Sequence, residues 1–419
     1  MSNSLYESEI EQIALDILRD ENGYAVIFGP DISEGEQKER EYTEVVLQNR
    51  LRDAIDRINP SIPADAREEA FKKALRTVSV NLLDNNEAFH RMLTDGIDIK
   101  FSIGEGKTKG DKVWLIDFSI IENNEFLAVN QYTVLENHNN KRPDIALFVN
   151  GLPLVVVELK NAADENADVQ AAFHQLQTYN QLIPSLFTTN AFLIVSDGWF
   201  AKIGTISSDY PRFMEWKTAD GETIVDTKRE SELEPMIKGL LNKKTLLDVI
   251  RHFIVFEKTK EKTIKKIAAY HQYYAVNKAI TSTIRATLEI ASIAKESPES
   301  YGLPSTADQP KGDRRAGVVW HTQGSGKSLS MVFYAGKLVL ADKMNNPTLV
   351  VLTDRNDLDQ QLFETFSNCQ QLIRQTPQQA ANRDDLKKLL SVSSGGIVFT
   401  TIQKFLPEEA GGKYPLLSN

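Results

Sequence analysis

Pro143-Asp144 and Glu158-Leu159-Lys160 stand in two apolar runs, Asp144 to Val149 and Leu152 to Lys160, that meet at Asn150-Gly151. Two neighbouring carboxylates can hold Mg²⁺. A metal held there lowers the pKa of a bound water and polarises a phosphate ester. A lysine beside it can orient that water or stabilise charge on a pentacoordinate phosphorus. A glutamate closing Val155-Val156-Val157 is costly to bury unless something binds it. Asn-Gly between apolar runs signals a hairpin. Side chains on a strand alternate, so Glu158 and Lys160 share a face with Leu154 and Val156. The position of Asp144 depends on the loop. A two-residue Asn150-Gly151 turn sets it opposite Val157, away from Glu158. A three-residue Val149-Asn150-Gly151 loop, with Gly151 left-handed, sets it opposite Val156. Glu158 is then its diagonal neighbour, roughly 7–8 Å away at the backbone. A shared metal site therefore predicts an odd loop with a bulge. The alternative is a salt bridge at a solvated strand end. Asp98-Ile99-Lys100 shows how readily an acid–x–Lys triplet arises.

The second constellation is His321-Thr322-Gln323-Gly324-Ser325-Gly326-Lys327-Ser328. It follows a predicted strand, Val318 to Trp320, and opens a predicted helix, Ser328 to Leu340, which is the context of a P-loop. Thr322, Gly324, Ser325 and Gly326 let the backbone curl so that its N–H groups face phosphate oxygens, and the helix N-terminus favours an anion. In that motif Lys327 reaches the β/γ-phosphates of ATP and the Ser328 hydroxyl ligates Mg²⁺. His321 departs from the pattern, standing where a glycine is usual. The variant resembles motif I of superfamily 2 helicase-like motors. Tyr270-His271-Gln272 resembles the Q-motif of those motors, in which Gln272 would read the adenine edge. Leu349 to Arg355 and Phe399 to Gln403 resemble their motifs Ia and Ib. That resemblance makes Thr353, Arg355, Thr400 and Thr401 candidate contacts to the DNA backbone.

The acidic pair with its lysine resembles the PD-(D/E)xK nuclease core. Gln175 and Tyr179 lie at i, i+4 on the helix that follows, sharing one face. This Gln-x-x-x-Tyr resembles the variant found in type I restriction enzyme motor subunits and RecB-like nucleases, where the pair supports the active site and contacts DNA. Glu11 borders the apolar face of the first helix and resembles the helix glutamate of that core. Glu7 is the weaker candidate, because a capping box with Ser4 already explains it. Nuclease and motor motifs in this order resemble the restriction (R) subunit of a type I restriction-modification enzyme. The resemblance implies a partner set of methyltransferase and specificity subunits, duplex DNA as substrate, and Mg²⁺ and ATP as cofactors. It also implies that the chain is an N-terminal fragment. No Asp-Glu-x-x box follows motif Ib, so it is expected to bind ATP without hydrolysing it well. The rivals are a repair-type helicase–nuclease and an ATP-binding module whose nuclease fold is inert.

The elements that must position these groups are legible as an α/β pattern. Ile10, Ile13, Ala14, Ile17 and Leu18 mark a first helix. Further helices are predicted over about 42–58, 63–82, 167–182 and, in segments, 232–256. Predicted strands cover 97–103, 113–121, 126–135 and 191–196. A long helix is predicted over 267–294, a loop over 297–317, a helix over 358–366 and strands over 349–353 and 397–401. Strands alternating with helices mean a parallel sheet. The expected architecture is a PD-(D/E)xK-like α/β domain over 1–258, followed by an incomplete RecA-like parallel-sheet helicase lobe over 259–419. The charged stretch at 257–266 marks the boundary. Charge supports the division: 27 Lys and Arg face 42 Asp and Glu up to residue 255, but 21 face 16 from residue 256. The net −10 of the 419 residues is therefore the wrong scale on which to exclude nucleic acid. One cysteine, Cys369, excludes a disulfide framework and suits a reducing cytoplasm. No signal peptide or membrane-length apolar run is present in the sequence.

Overall fold

The computed structural model describes residues 7–35, 38–104, 106–161, 168–287, 316–392 and 394–405. The chain divides into two units, Met1–Ile254 with Ile264–Tyr270, and Val255–Thr263 with His271–Asn419. Both mix helices with sheets that contain parallel strands.

The first unit is built on a seven-stranded sheet whose spatial order follows chain order: β1 (Ala25–Phe28), β2 (Phe126–Asn130), β3 (Ile145–Val149), β4 (Leu152–Leu159), β5 (Phe192–Ser196), β6 (Ala201–Gly204) and β7 (Met214–Glu215). β1 runs parallel to β2 and β4 parallel to β5; the other neighbours are antiparallel. Every residue of β4 is buried, as expected of a central strand covered on both faces. Helix α1 (Glu7–Asp20) buries Ile10, Ala14, Leu15 and Leu18. Ile13, expected in that stripe, is 44% exposed, and Leu15 takes its place. Between β1 and β2 lie α2 (Gln48–Ile58), α3 (Ala64–Ala74) and α4 (Leu82–Asp95). Helix α5 (Val169–Leu182) crosses from β4 to β5. Its Val169, Ala172, Phe173 and Leu176 share a core cluster with Val156, Leu193 and Val195. Two further helices, α6 (Leu233–Leu240) and α7 (Lys243–His252), close the unit.

The turn between β3 and β4 decides the site. Asn150 (φ 53°) and Gly151 (φ 77°) form a two-residue turn with both φ positive, the backbone of a type I′ hairpin. Val149 pairs with Leu152 and Phe148 with Pro153, but Leu147 pairs with Val155. Leu154 is therefore an extra residue, and the bulge lies inside the strand instead of in the loop. Pro153 has no N–H to give the ladder, and a bulge is where a sheet tolerates that. Beyond the bulge the register is Ile145 to Val157, which sets Asp144 opposite Glu158. The three-residue loop expected from the sequence is thus corrected to a tight turn plus a strand bulge, and the two acids still share a face. The turn itself is fixed. Asn150 Nδ2 donates to Leu115 O (2.9 Å) and Asn124 Oδ1 (2.8 Å), and its Oδ1 accepts from Glu125 N–H (2.8 Å).

Other boundaries moved for local reasons. The helix expected over 63–82 ends at Ala74, and α4, capped by Asn81 with bonds from the Leu83 and Asp84 N–H groups, is a helix the sequence reading did not expect. The strand expected over 113–121 ends at Val113, in a hairpin of Ile97–Ser102 with Thr108–Val113. The helix expected from residue 42 begins at Gln48. Ser4, and with it the capping box, lies outside the described residues.

The second unit carries a three-stranded parallel sheet in the order β8 (Leu349–Thr353), β10 (Ile397–Thr401), β9 (Gln378–Gln379). Its helices are α8 (from Tyr270 to Thr287), α9 (Lys327–Val339), α10 (Asn356–Asn368) and α11 (Arg383–Leu390). Val318 to Trp320, expected as a strand, pairs with none among the described residues and stays exposed. An apolar triplet has no strand character without a neighbour to complete its ladder. The expected loop over 297–317 lies largely outside the described residues, as do 288–294 of the long helix. No helix among the described residues is long and apolar enough to cross a membrane.

Candidate functional site

Asp144, Glu158 and Lys160 meet at one edge of the seven-stranded sheet, where β3 begins and β4 ends. The Leu159 N–H donates to Asp144 Oδ2 at 2.7 Å, which locks that carboxylate across the strand pair. Glu158 is fully buried. Its Oε1 accepts from Lys160 Nζ at 3.1 Å, while Oε2 is buried with no hydrogen-bond partner among the described residues. A carboxylate oxygen left bare in the interior is a costly feature unless something binds it. Lys160 Nζ also donates to Leu159 O (2.8 Å) and lies 3.8 Å from Glu7 Oε1.

The electrostatics follow from burial. Burial pushes the Asp144 carboxyl up to about 6, against the opposing pull of the Leu159 N–H and the Lys160 charge. Burial, and then the neighbouring Asp144 charge, raise Glu158 well above the ordinary carboxylate range, with Lys160 opposing. For Lys160 burial acts downward, but the Glu158 carboxylate beside it wins and the ammonium is held more firmly than usual. Two acids that resist ionising next to a lysine that keeps its proton form a site short of positive charge. A divalent cation is a group that would supply that charge. No group of three or more His, Cys, Asp or Glu side chains among the described residues has metal-holding geometry, so the fit rests on this acidic pair and its bare oxygen.

A cleft of about 730 Å³ opens beside Asp144, with Glu158 and Lys160 outside its lining. Its lining includes Glu7, Asp144, Arg142, His174, Gln175 and Tyr179. Gln175 and Tyr179 do sit together: Gln175 Nε2 donates to Tyr179 Oη at 2.5 Å, and the Tyr179 hydroxyl reaches Arg142 O at 3.4 Å. Burial raises the Tyr179 phenol, with the Glu158 charge adding to it, so it stays a donor. Glu11 is placed differently from the expectation. Its two oxygens accept from Asn130 Nδ2 and Gln131 Nε2, both at 2.7 Å, and it does not line the cleft. Glu7, one turn earlier on α1, does.

In the second unit the loop before α9 has the shape that phosphate cradles need. Gly324 (φ 83°) and Gly326 (φ 78°) are both left-handed, which glycine alone adopts without strain. Ser325 Oγ donates to Thr322 O (2.8 Å), closing the curl. Lys327 Nζ folds back on the loop, donating to Thr322 O (2.8 Å) and His321 O (3.1 Å). Ser328 is the second residue of α9. Gln272 Nε2 donates to Gly326 O (3.1 Å) and Ser330 Oγ (3.3 Å), so this amide braces the loop's backbone. The His271 ring lies 3.2 Å from Ser325 O and edge-on to His321.

The four expected DNA contacts separate. Arg355 is open to solvent. Thr353, Thr400 and Thr401 are buried, and the Thr353 hydroxyl donates to Asp359 Oδ1 at 3.1 Å. Thr400 and Thr401 lie on opposite faces of β10, but every residue of that strand is buried, so none of the three presents a hydroxyl at the surface.

Comparison with known proteins agrees with this layout. The family described as "Type I restriction enzyme R protein N terminus" matches residues 4–212. The type I restriction enzyme HindI endonuclease subunit of Haemophilus influenzae is 44% identical over 99% of this chain and 38% of its own length. A Methanocaldococcus jannaschii protein, provisionally named type I restriction enzyme MjaIXP endonuclease subunit, is 33% identical over 95% of the chain and 37% of its own length. The chain belongs to the type I restriction enzyme R protein family. Residues 271–419 also match the family described as "SWI2/SNF2 ATPase". The chain thus spans less than two fifths of the length of these R-family relatives.

Sequence reasoning missed three residues that line the cleft. Glu7 was set aside for capping, although it shares a helix face with Glu11. Arg142 and His174 carried a signal that was not used: His174 stands one residue before Gln175, and Arg142 two before Asp144.

Proposed function

We propose that the first unit is a PD-(D/E)xK-type DNA nuclease and the second the start of a RecA-like, superfamily 2 motor lobe. Together they form the cutting and nucleotide-binding part of a type I restriction enzyme. The observation that carries the reading is the facing pair Asp144 and Glu158, with one buried carboxylate oxygen bare and Lys160 beside it.

Asp144 and Glu158 would hold Mg²⁺, which when bound supplies positive charge to a water and to a phosphate oxygen. Lys160 would orient the water that attacks phosphorus; the P–O bond to the leaving strand would break as the new P–O bond forms. Tyr179, braced by Gln175, presents a protonated hydroxyl at the cleft. Arg142 and Lys141 on the rim would hold flanking phosphates. Glu7 balances the Lys160 charge from α1.

In the second unit Lys327 would leave the carbonyls of His321 and Thr322 for the β/γ-phosphates of ATP, and Ser328 would meet the nucleotide's Mg²⁺. Gln272 would hold the loop in shape. Arg355 is the surface cation left to meet a DNA backbone. The chain would act in the cytoplasm on duplex DNA within a complex of methyltransferase and specificity subunits, translocating DNA before cutting it.

The test uses the full-length R subunit assembled with those subunits. Glu158→Ala and Lys160→Ala should abolish Mg²⁺-dependent cleavage and leave ATP-driven translocation intact. Restriction at the parental rate by both variants would overturn the reading.

A further inference from the structure

We propose that Trp199 and Phe200 form a rigid aromatic platform that stacks on nucleobases beside the scissile phosphate. The proposal rests on the nuclease reading of the Asp144–Glu158 edge and names a contact that reading lacks.

The platform lies on the turn between β5 and β6. β5 is parallel to β4, with Leu159 level with Ser196, and the Lys160 N–H donates to Ser196 O at 2.9 Å. Strands in a sheet are roughly 5 Å apart. The turn therefore leaves the sheet one strand from Glu158 and two from Asp144, on the edge where the acids stand. A DNA strand advances about 3.4 Å per base, so bases one to three steps from a phosphate at the acidic pair come within reach.

Both rings are exposed, Trp199 by 39% and Phe200 by 45%. A single exposed apolar side chain needs no explanation. Two in succession on a turn held from every side are a different matter. Asp197 Oδ1 accepts from the Trp199 and Phe200 N–H groups, at 2.9 and 2.7 Å. Ser196 Oγ accepts from Gly198 N–H and donates to Phe200 O. Ser231 Oγ donates to Gly198 O, the Glu232 N–H to Trp199 O, and Trp199 Nε1 to Thr227 O. Gly198 is left-handed, and a Cβ there would meet Ile10 Cδ1 at 2.8 Å, so the turn is also pressed against α1, the helix that carries Glu7. Asp197 is buried, with its carboxylate committed to the turn. Fixed aromatic faces beside a phosphate-cutting edge suit a base of any sequence once it is unstacked from the duplex at the cut, because every base has a π-face.

The experiment compares full-length R subunits, each assembled with its partner subunits on a circular duplex. Trp199→Ala/Phe200→Ala should cut about tenfold or more slowly, with translocation rate and ATPase rate at parental values. Trp199→Phe/Phe200→Tyr, which keeps two π-faces, should recover most of the cutting rate. If the double alanine variant cuts like the parent while Glu158→Ala does not cut, the platform proposal fails and the nuclease reading stands. If Glu158→Ala also cuts, the nuclease reading fails with it. Loss of assembly or translocation in the double alanine variant would make the turn a protein-docking surface and overturn the proposal.

Discussion

Replacing Asp144 by Asn should stabilise the metal-free protein while abolishing its cutting. Burial moves this carboxyl from an ordinary 3.8 to about 6. At about 1.36 kcal/mol per pH unit, that is roughly 3 kcal/mol that folding loses by ionising it. Below pH 3.8 the group is protonated whether folded or unfolded, and the two states do not differ. Between 3.8 and about 6 the folded chain keeps a proton that the unfolded chain releases, so stability falls as pH rises through that window. Above 6 the full penalty applies. Asn keeps the oxygen that accepts the Leu159 N–H and removes the charge that opposes Glu158. The expected gain is therefore about 3 kcal/mol at pH 8, shrinking towards zero near pH 4. For a unit of this size that raises the unfolding temperature by about 6–12 °C. The assay is calorimetric unfolding in a chelator at several pH values, following the transition of the first unit. A gain that is absent at pH 8, or equal at pH 4.5 and pH 8, would refute the argument that burial of an ionised pair shapes this site.

Other consequences follow from the same geometry. Mg²⁺ should raise the unfolding temperature of the parent more at pH 8 than at pH 5, since binding requires the ionised acids. At a concentration one hundred times the dissociation constant the gain is about 2.7 kcal/mol, and Glu158→Gln should remove it; equal shifts in parent and variant would contradict the site. Gly151→Ala should destabilise the first unit by about 2–4 kcal/mol, because φ is 77° and a Cβ would lie 2.5 Å from Leu47 O; denaturant unfolding measures it. Lys327→Ala should weaken ATP binding at least about tenfold in equilibrium titration, and unchanged binding would refute the P-loop assignment. Gln272→Ala should lower nucleotide affinity less than Lys327→Ala does, because Gln272 acts through the Gly326 carbonyl; an equal loss would restore the adenine contact.

Much of the site was legible because its chemistry is written in local spacing. Glu158 and Lys160 share a face by strand parity, Gln175 and Tyr179 by helix parity, and Gly324 to Ser328 by the demands of a phosphate loop. What the sequence obscured depends on tertiary structure. The register of Asp144 turned on Leu154 being bulged, and Pro153 was the available clue. Glu11 and Glu7 lie one turn apart on α1, so their order of importance depends on which reaches the sheet edge and which meets Asn130 and Gln131. Thr353, Thr400 and Thr401 carry the right chemistry, but tertiary packing covers both faces of β10 and buries all three. Val318 to Trp320 shows the limit of composition: three apolar residues before a phosphate loop read as a strand, yet a strand needs a partner to pair with. The acidic first unit and the more basic second unit were visible in the charge count, but the proposed chemistry of the first unit rests on its buried acids and not on the net charge.

The central claim is that Asp144, Glu158 and Lys160 form a cutting site separate in function from the nucleotide loop. The most direct measurement follows translocation and strand scission together on one circular duplex, using the assembled enzyme with Glu158→Ala in its R subunit. The account predicts translocation at the parental rate with no scission at any Mg²⁺ concentration. Scission at the parental rate would contradict it.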